Sequence, residues 1–558
     1  MKLLGVKLKD AVQDGANAAH SGDSILPVHI GDEGVADGHP AASERLRDRI
    51  PARQKAADAY VKSLFPFLGW IGRYNLQWLA GDVVAGVTVG IVVVPQGMAY
   101  ALLAELEPQF GLYSSFMGVM IYWVFGTSKD ISIGPVAVLS TVVGSVVRDV
   151  VSSPEGKDIA PHLVASALSI VAGSIVLSIG LLRGGWIVDL ISVTCLSAFM
   201  TGSAITIAAG QLPSLLGLAG FSNRDSAFDV FVNTWKHLSE AKLDAAVGLS
   251  ALFLLYLIRH TLASAAERYP GRKRFFFFIS TMRTVLVIVL YTIISWLVNM
   301  DSRENPRFRL LGTVPKGFCN VAVPELSRNL VSHFASHLPA TVVVMLVEHV
   351  AISKSFGRVN NYTIDPSQEM VAIGMTNVLG PFLGGYPSTG SFSRTAIQSK
   401  AGVCTPAAGI VTGLVVLLTT YHLTAVFFYI PSATLASVII HAVGDLVTPP
   451  ETVQQFWRVS PMEVFVFFVG VFVSVLSQIE DGLYATVSIS AAVRLYRILK
   501  ARAQFLSTGR FRSLFGEHVV GDDPKISAEY GTFHVSGGDS SRNSSLPIGH
   551  GERSNLQN

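Results

Sequence analysis

From Asp82 onward the apolar positions of this chain gather into fourteen runs, near 83–103, 111–125, 135–151, 162–182, 186–210, 244–264, 279–299, 337–355, 368–384, 391–401, 404–421, 431–446, 462–478 and 481–499. Such runs predict membrane helices, although several fall short of the roughly 20 residues a full span requires. The short ones come in pairs. In the first half, 111–125 is followed by Gly134-Pro135 and a short apolar run. In the second, 368–384 ends in Gly380-Pro381, Gly384-Gly385 and Pro387, again followed by a short run. The two breaks stand about half the membrane region apart. Paired short segments, interrupted by glycine and proline at matching positions, are the sequence mark of an inverted-repeat transporter. The pattern predicts an all-α polytopic membrane protein of 14 transmembrane segments in a 7+7 inverted repeat, with repeats at about 80–265 and 279–500. Segments 3 and 10 are expected to be half-helices.

Composition agrees. Half of the 558 residues are hydrophobic and 15% are charged, against roughly 25% charged in a globular chain. Nineteen charges fall in the first 78 residues and thirteen in the last 59. The middle is too apolar for water, which excludes a soluble enzyme and a nucleic-acid binder. A net charge of +3 points to no polyanionic partner. Cys195, Cys319 and Cys404, odd in number and far apart, suit neither a disulfide framework nor a zinc site. Residues 1–64 lack the apolar core of a signal peptide and carry a basic run, Arg45, Arg47, Arg49, Arg53 and Lys55; they read as a disordered tail. The aromatic stretch from Phe65 to Trp78 suits the membrane interface. Residues 501–558, polar and rich in serine and glycine, read as a second tail.

An even number of spans puts both ends on one side. With the ends cytoplasmic, Arg268, Arg272, Lys273 and Arg274 of the 265–278 loop fall inside, as do Lys354, Arg358, Lys400 and Arg458. The expected outer turns at 422–430 and near 479 carry no lysine or arginine. The 300–336 loop, with five basic residues including Arg307 and Arg309, is an exception, as long loops often are. On this topology the sequon at Asn361 faces the cytoplasm and carries no glycan.

Four features hold candidate chemistry. In Pro95-Gln96-Gly97-Met98-Ala99-Tyr100, proline kinks the helix and frees a carbonyl, and Gln96 and Tyr100, four apart, share a face. They either line a polar cavity or bond to neighbouring helices. Gly86 and Gly90 read as close packing positions. Ile133-Gly134-Pro135-Val136 opens one half-helix, and Ser388-Thr389-Gly390-Ser391-Phe392-Ser393-Arg394-Thr395 opens the other. A helix amino end offers unpaired N–H groups and about half a positive charge, so two such ends make an anion site. Ser393 and Thr395 add hydroxyls, and Arg394 is a cation at membrane depth, either in the site or snorkelling beside a serine cap. Glu348 follows six apolar residues in VVVMLVEHVAISKS. An intramembrane carboxylate must be paired, protonated or facing water. It is a proton carrier or the permanent partner of an arginine such as Arg394. His349 beside it reads as structural, and His441 with Asp445 as a helix-end pair. There is no phosphate loop, no H-E-x-x-H and no nucleophile, base and orienter set; neither enzyme chemistry nor a cofactor or metal is expected.

The motifs FPFLGW with Tyr74-Asn75 and WLAGD, then AGVTVGIVVVPQGMAYA, GLYSSF, FGTSKDISIGPVAVLS and GGYPSTGSFSRTAIQSKAGVCTP, resemble the SulP family of sulfate permeases, which includes the animal anion exchangers and prestin. The likeness spans about 65–500 and is strongest to the fungal permeases. It implies a core domain and a gate domain, with elevator-like displacement of the substrate. By position it places the anion site on Gln96, Tyr100, Val136, Phe392, Ser393 and Arg394, and the coupling carboxylate on Glu348. Val136 stands where some animal members carry an aromatic, which leaves more room. Members usually carry a cytoplasmic STAS domain after the last span, and the 501–558 stretch is too short for one.

The expectation is therefore proton-coupled sulfate uptake at the plasma membrane, with sulfate or a similar dianion, protons and lipid as partners and a homodimer left open. An exchanger or channel-like conductor of chloride, bicarbonate or oxalate stays open, as does an anion-binding sensor or motor without net flux.

Overall fold

A computed structural model describes residues 60–154, 157, 159–218, 226–300, 306–477 and 479–514. The expected tails, including the basic run from Arg45 to Lys55, lie almost wholly outside the described residues. The chain divides into two compact units, between Val493 and Arg494; apart from the end of the last helix, everything below belongs to the first.

Each apolar run falls on a helix. They are α1 (Leu76–Leu103), α2 (Pro108–Phe125), α3 (Ala137–Ser152), α4 (Pro161–Leu181), α5 (Val193–Leu216), α6 (Leu243–Arg268) and α7 (Lys273–Asn299), then α8 (Leu338–Val359), α9 (Pro366–Leu379), α10 (Phe392–Ala401), α11 (Ala408–His422), α12 (Ser432–Val443), α13 (Pro461–Leu476) and α14 (Ile479–Leu514). Among the described residues, six helical stretches are long and apolar enough to cross a membrane, on α1, α4, α5, α6, α7 and Arg328–Val359. This is an integral, multi-pass membrane protein. α6 and α7 expose Leu249, Phe253, Leu257, Leu286, Leu290 and Ile293, as helices facing lipid tails must.

Local chemistry moves several boundaries. α1 begins at Leu76 rather than near 83, because the Asn75 side chain accepts the Trp78 N–H at 2.9 Å and caps it. The run expected at 186–210 splits into a 3-10 turn, Gly184–Leu190, and α5, which starts where Ser192 accepts the Cys195 N–H at 3.1 Å. α9 stops at Leu379, before Gly380-Pro381. Short helices at Ala227–Lys236 and Pro450–Val459 fall between the apolar runs, and one at Arg328–Phe334 falls in the stretch read as the 300–336 loop.

Gly86 and Gly90 do serve close packing: a Cβ on Gly86 would lie 2.6 Å from the Ala408 carbonyl, and one on Gly90 would lie 2.7 Å from Val415, both of α11. The Asp82 carboxylate clasps the start of the same helix, accepting N–H groups of Cys404 and Thr405 at 2.8 and 2.9 Å. The chain segments ahead of α3 and α10 meet as two short antiparallel strands, β1 (Ile133–Gly134) and β2 (Thr389–Gly390), with Ile133 opposite Gly390 and Gly134 opposite Thr389. This crossing brings the start of α3 and the start of α10 together from opposite halves of the sequence.

His441 and Asp445 make no hydrogen bond with each other. Asp445 meets Arg259 of α6 at 2.7 Å, and His441 Nε2 accepts from Arg283 Nε of α7 at 3.0 Å. Both residues look sideways to neighbouring helices that carry arginine, a relation invisible along one helix.

Candidate functional site

Beside the β1–β2 crossing lies a cavity of about 30 Å³; a single ordered water needs roughly 10–15 Å³. Most of its lining comes from four helices. α1 contributes Tyr100, α3 its Val136–Val138 end, α8 Glu348 and Ile352, and α10 the residues Gly390 to Ser393 that lead into it. Met200 of α5 and Ala442 with Leu446 at the end of α12 complete the lining with apolar side chains.

The helix amino ends define the chemistry. The first intrahelical bonds are Ser140 N–H to the Val136 carbonyl and Thr395 N–H to the Ser391 carbonyl, each at 2.9 Å. The N–H groups of 137–139 and of 392–394 therefore precede the helical ladder. Neither end carries a side-chain cap. Donors of this kind, with two helix dipoles behind them, suit a negatively charged solute.

Of the residues singled out in the sequence, Tyr100, Val136, Phe392, Ser393 and Glu348 reach the cavity. Gln96 and Arg394 stand one layer behind. Gln96 Nε2 donates to the Tyr100 hydroxyl at 3.1 Å, and its Oε1 has no partner. Arg394 is fully buried; one terminal nitrogen donates to the Pro135 carbonyl at 2.8 Å, while Nε and the other terminal nitrogen are unpartnered. Glu348 makes no ion pair with Arg394, so the permanent pair left open by the sequence is absent, and Glu348 Oε2 is buried without a hydrogen bond. Thr395 turns from the cavity and accepts the Ser132 N–H at 3.2 Å, which ties α10 to the approach of β1.

Sequence reading passed over two groups. Tyr386 lies behind β2, its hydroxyl 3.1 Å from Ser140 Oγ. Glu369 of α9 is wholly buried and receives donors from five residues, including His349 Nε2 at 2.8 Å. In sequence Glu369 is an acid in a first helical turn after Asp365-Pro366, a position where acids are ordinary. Nothing local marked it.

The profile described as "Sulfate permease family" matches residues 79–470. Sulfate permease 2 of Neurospora crassa is 52% identical over 477 residues, covering 85% of this chain and 58% of the relative. Sulfate permease 1 of Saccharomyces cerevisiae is 44% identical over 469 residues, covering 81% and 54%. The chain thus spans little more than half the length of these fungal relatives. Among solved structures, SLC26A9 superposes with a TM-score of 0.71 at 24% identity, covering 84% of this chain and 73% of the other. The transmembrane domain of the cyanobacterial bicarbonate transporter BicA does so with 0.61 at 19% identity, covering 74% and 98%. At these identities the two structures show the fold.

Proposed function

Because the chain belongs to the sulfate permease family, we propose that it is a secondary active transporter that takes up sulfate together with protons across the plasma membrane, both termini facing the cytoplasm. The observation that carries this reading is the pair of uncapped helix ends, at Ala137 and Phe392, opening on one cavity that also holds Glu348.

In this proposal α1–α7 and α8–α14 are the two inverted repeats, and α3 and α10 are half-helices starting near mid-membrane. Tetrahedral oxyanions have acceptors on every side. Backbone N–H groups from two directions and the Ser393 and Tyr100 hydroxyls meet them without a close cationic cage. Arg394, behind the helix ends, adds positive charge, and Gln96 orients the Tyr100 hydroxyl. Val136 and Phe392 are apolar flanks.

The wall of Met200, Ala442 and Leu446 supports an elevator. A polar block sliding past such side chains breaks no hydrogen bond. The core domain would then comprise α1, α3, α8 and α10, and the gate α5 and α12.

Carrying a dianion inward against 100 mV costs about 4.6 kcal/mol, twice the single-charge figure. Glu348 offers a coupling step. Protonated, it lets the anion enter; ionised, it repels the anion across a site of low dielectric. Uptake of labelled sulfate into proteoliposomes, with and without an inward proton gradient, tests the whole reading. Flux that needs an internal anion and ignores the gradient would make the protein an exchanger instead. Binding without flux would make it a sensor.

A further inference from the structure

Glu348 and His349 are neighbours on α8, and adjacent side chains on a helix point about 100° apart. Glu348 faces the cavity. His349 faces inward and is wholly buried. Its Nε2 lies 2.8 Å from Glu369 Oε2. A carboxylate only accepts, so Nε2 carries the hydrogen. The opposite nitrogen, Nδ1, is buried with no partner.

Two limbs leave Glu369. One runs through the loop after α2: Oε1 accepts the Thr127 N–H at 2.8 Å, the Thr127 hydroxyl at 2.6 Å and the Ser128 N–H at 3.0 Å. That loop leads directly into β1 and the start of α3. The other runs through the imidazole to β2. A Cβ placed on Gly390 would lie 3.3 Å from Nδ1, with Ile131 as its nearer neighbour. The far edge of the ring is thus seated against β2, one step before the start of α10. Thr389 Oγ1, donating to the Met345 carbonyl at 3.0 Å, fastens the same strand to α8. A single carboxylate therefore reaches both helix ends, and His349 is its link to the second.

We infer that His349 is a positioning residue of the anion site: anchored by Glu369 through Nε2 and seated on Gly390 by its other edge, it sets the height of β2 against β1 and so the spacing between the two helix ends. The inference rests on the anion site of the proposed function. It assigns the ring a mechanical task separate from the protonation of Glu348.

Two variants separate the ring's edges. His349→Gln keeps an N–H donor for Glu369 but removes the ring from Gly390. His349→Phe keeps the ring and removes the donor. With sulfate uptake by the purified full chain in proteoliposomes, His349→Gln is expected to raise KM about tenfold. Its maximal rate should stay within about twofold of wild type, with the proton-gradient dependence and melting midpoint retained. His349→Phe, which frees the other end of the same link, is expected to melt lower and to raise KM as well. A wild-type KM in either variant overturns the inference. If the wild type takes up no sulfate, the transport reading falls first. The shift of the melting midpoint caused by sulfate, and by chloride, then compares the same variants. A His349→Gln shift equal to that of wild type, or no shift in any protein, overturns the inference.

Discussion

Glu348 and Glu369 are both buried carboxylates on consecutive helices, and the protein treats them in opposite ways. Glu369 accepts six donors from Tyr122, Thr127, Ser128, His349 and Ser353, more than the roughly four lone-pair directions a carboxylate offers. Glu348 borders a cavity, and its Oε2 has none. A saturated carboxylate has little reason to change state, because a proton on either oxygen would displace a donor already there. An unsatisfied one beside a solvent-sized space can exchange a proton with little rearrangement. Burial alone therefore does not tell these two acids apart; the donors supplied to each do.

Removing the saturated acid should do the most damage. Glu369→Leu strands six donors, and the expected loss is about 3–5 kcal/mol of stability, read as a fall in the unfolding midpoint in detergent and in the yield of monodisperse protein. A variant as stable as wild type would break the comparison. Next is the buried cation behind the helix ends. Arg394→Leu should lower sulfate uptake about a hundredfold, about 2.7 kcal/mol, measured as uptake at subsaturating sulfate. Glu348→Gln should sharpen the contrast: stability within about 1 kcal/mol of wild type, with stimulation by an inward proton gradient lost. Stimulation that survived would move the coupling role elsewhere. The smallest effect belongs to one hydroxyl among several donors. Ser393→Ala should raise KM about threefold, about 0.6 kcal/mol, without altering the response to pH.

Much of this was legible along the chain. Membrane helices declare themselves by apolar runs, because no backbone can cross lipid unpaired. The breaks at Gly134-Pro135 and Gly384-Gly385 declared themselves by residues that stop helices. Val136, Phe392 and Ser393 followed those breaks and Tyr100 followed Pro95 on α1, and the cavity has all four in its wall. Gln96 and Arg394 illustrate the limit. Their residue types announced polar chemistry at depth, but their places behind the wall depend on which carbonyl or hydroxyl each side chain meets. The capping residues Asn75 and Ser192 carried a readable signal that runs of hydrophobicity overrode.

What the sequence determined by itself was the class of molecule and the two places where its helices break, since those follow from local transfer energies and backbone sterics. Which buried polar groups are satisfied was decided only in three dimensions. Glu369 gathers its donors from α2, α8 and the loop between α2 and β1, and Asp445 finds Arg259 on another helix. Hydrogen bonds act over about 3 Å, so partners far apart in the chain become partners only once packing has brought their helices side by side.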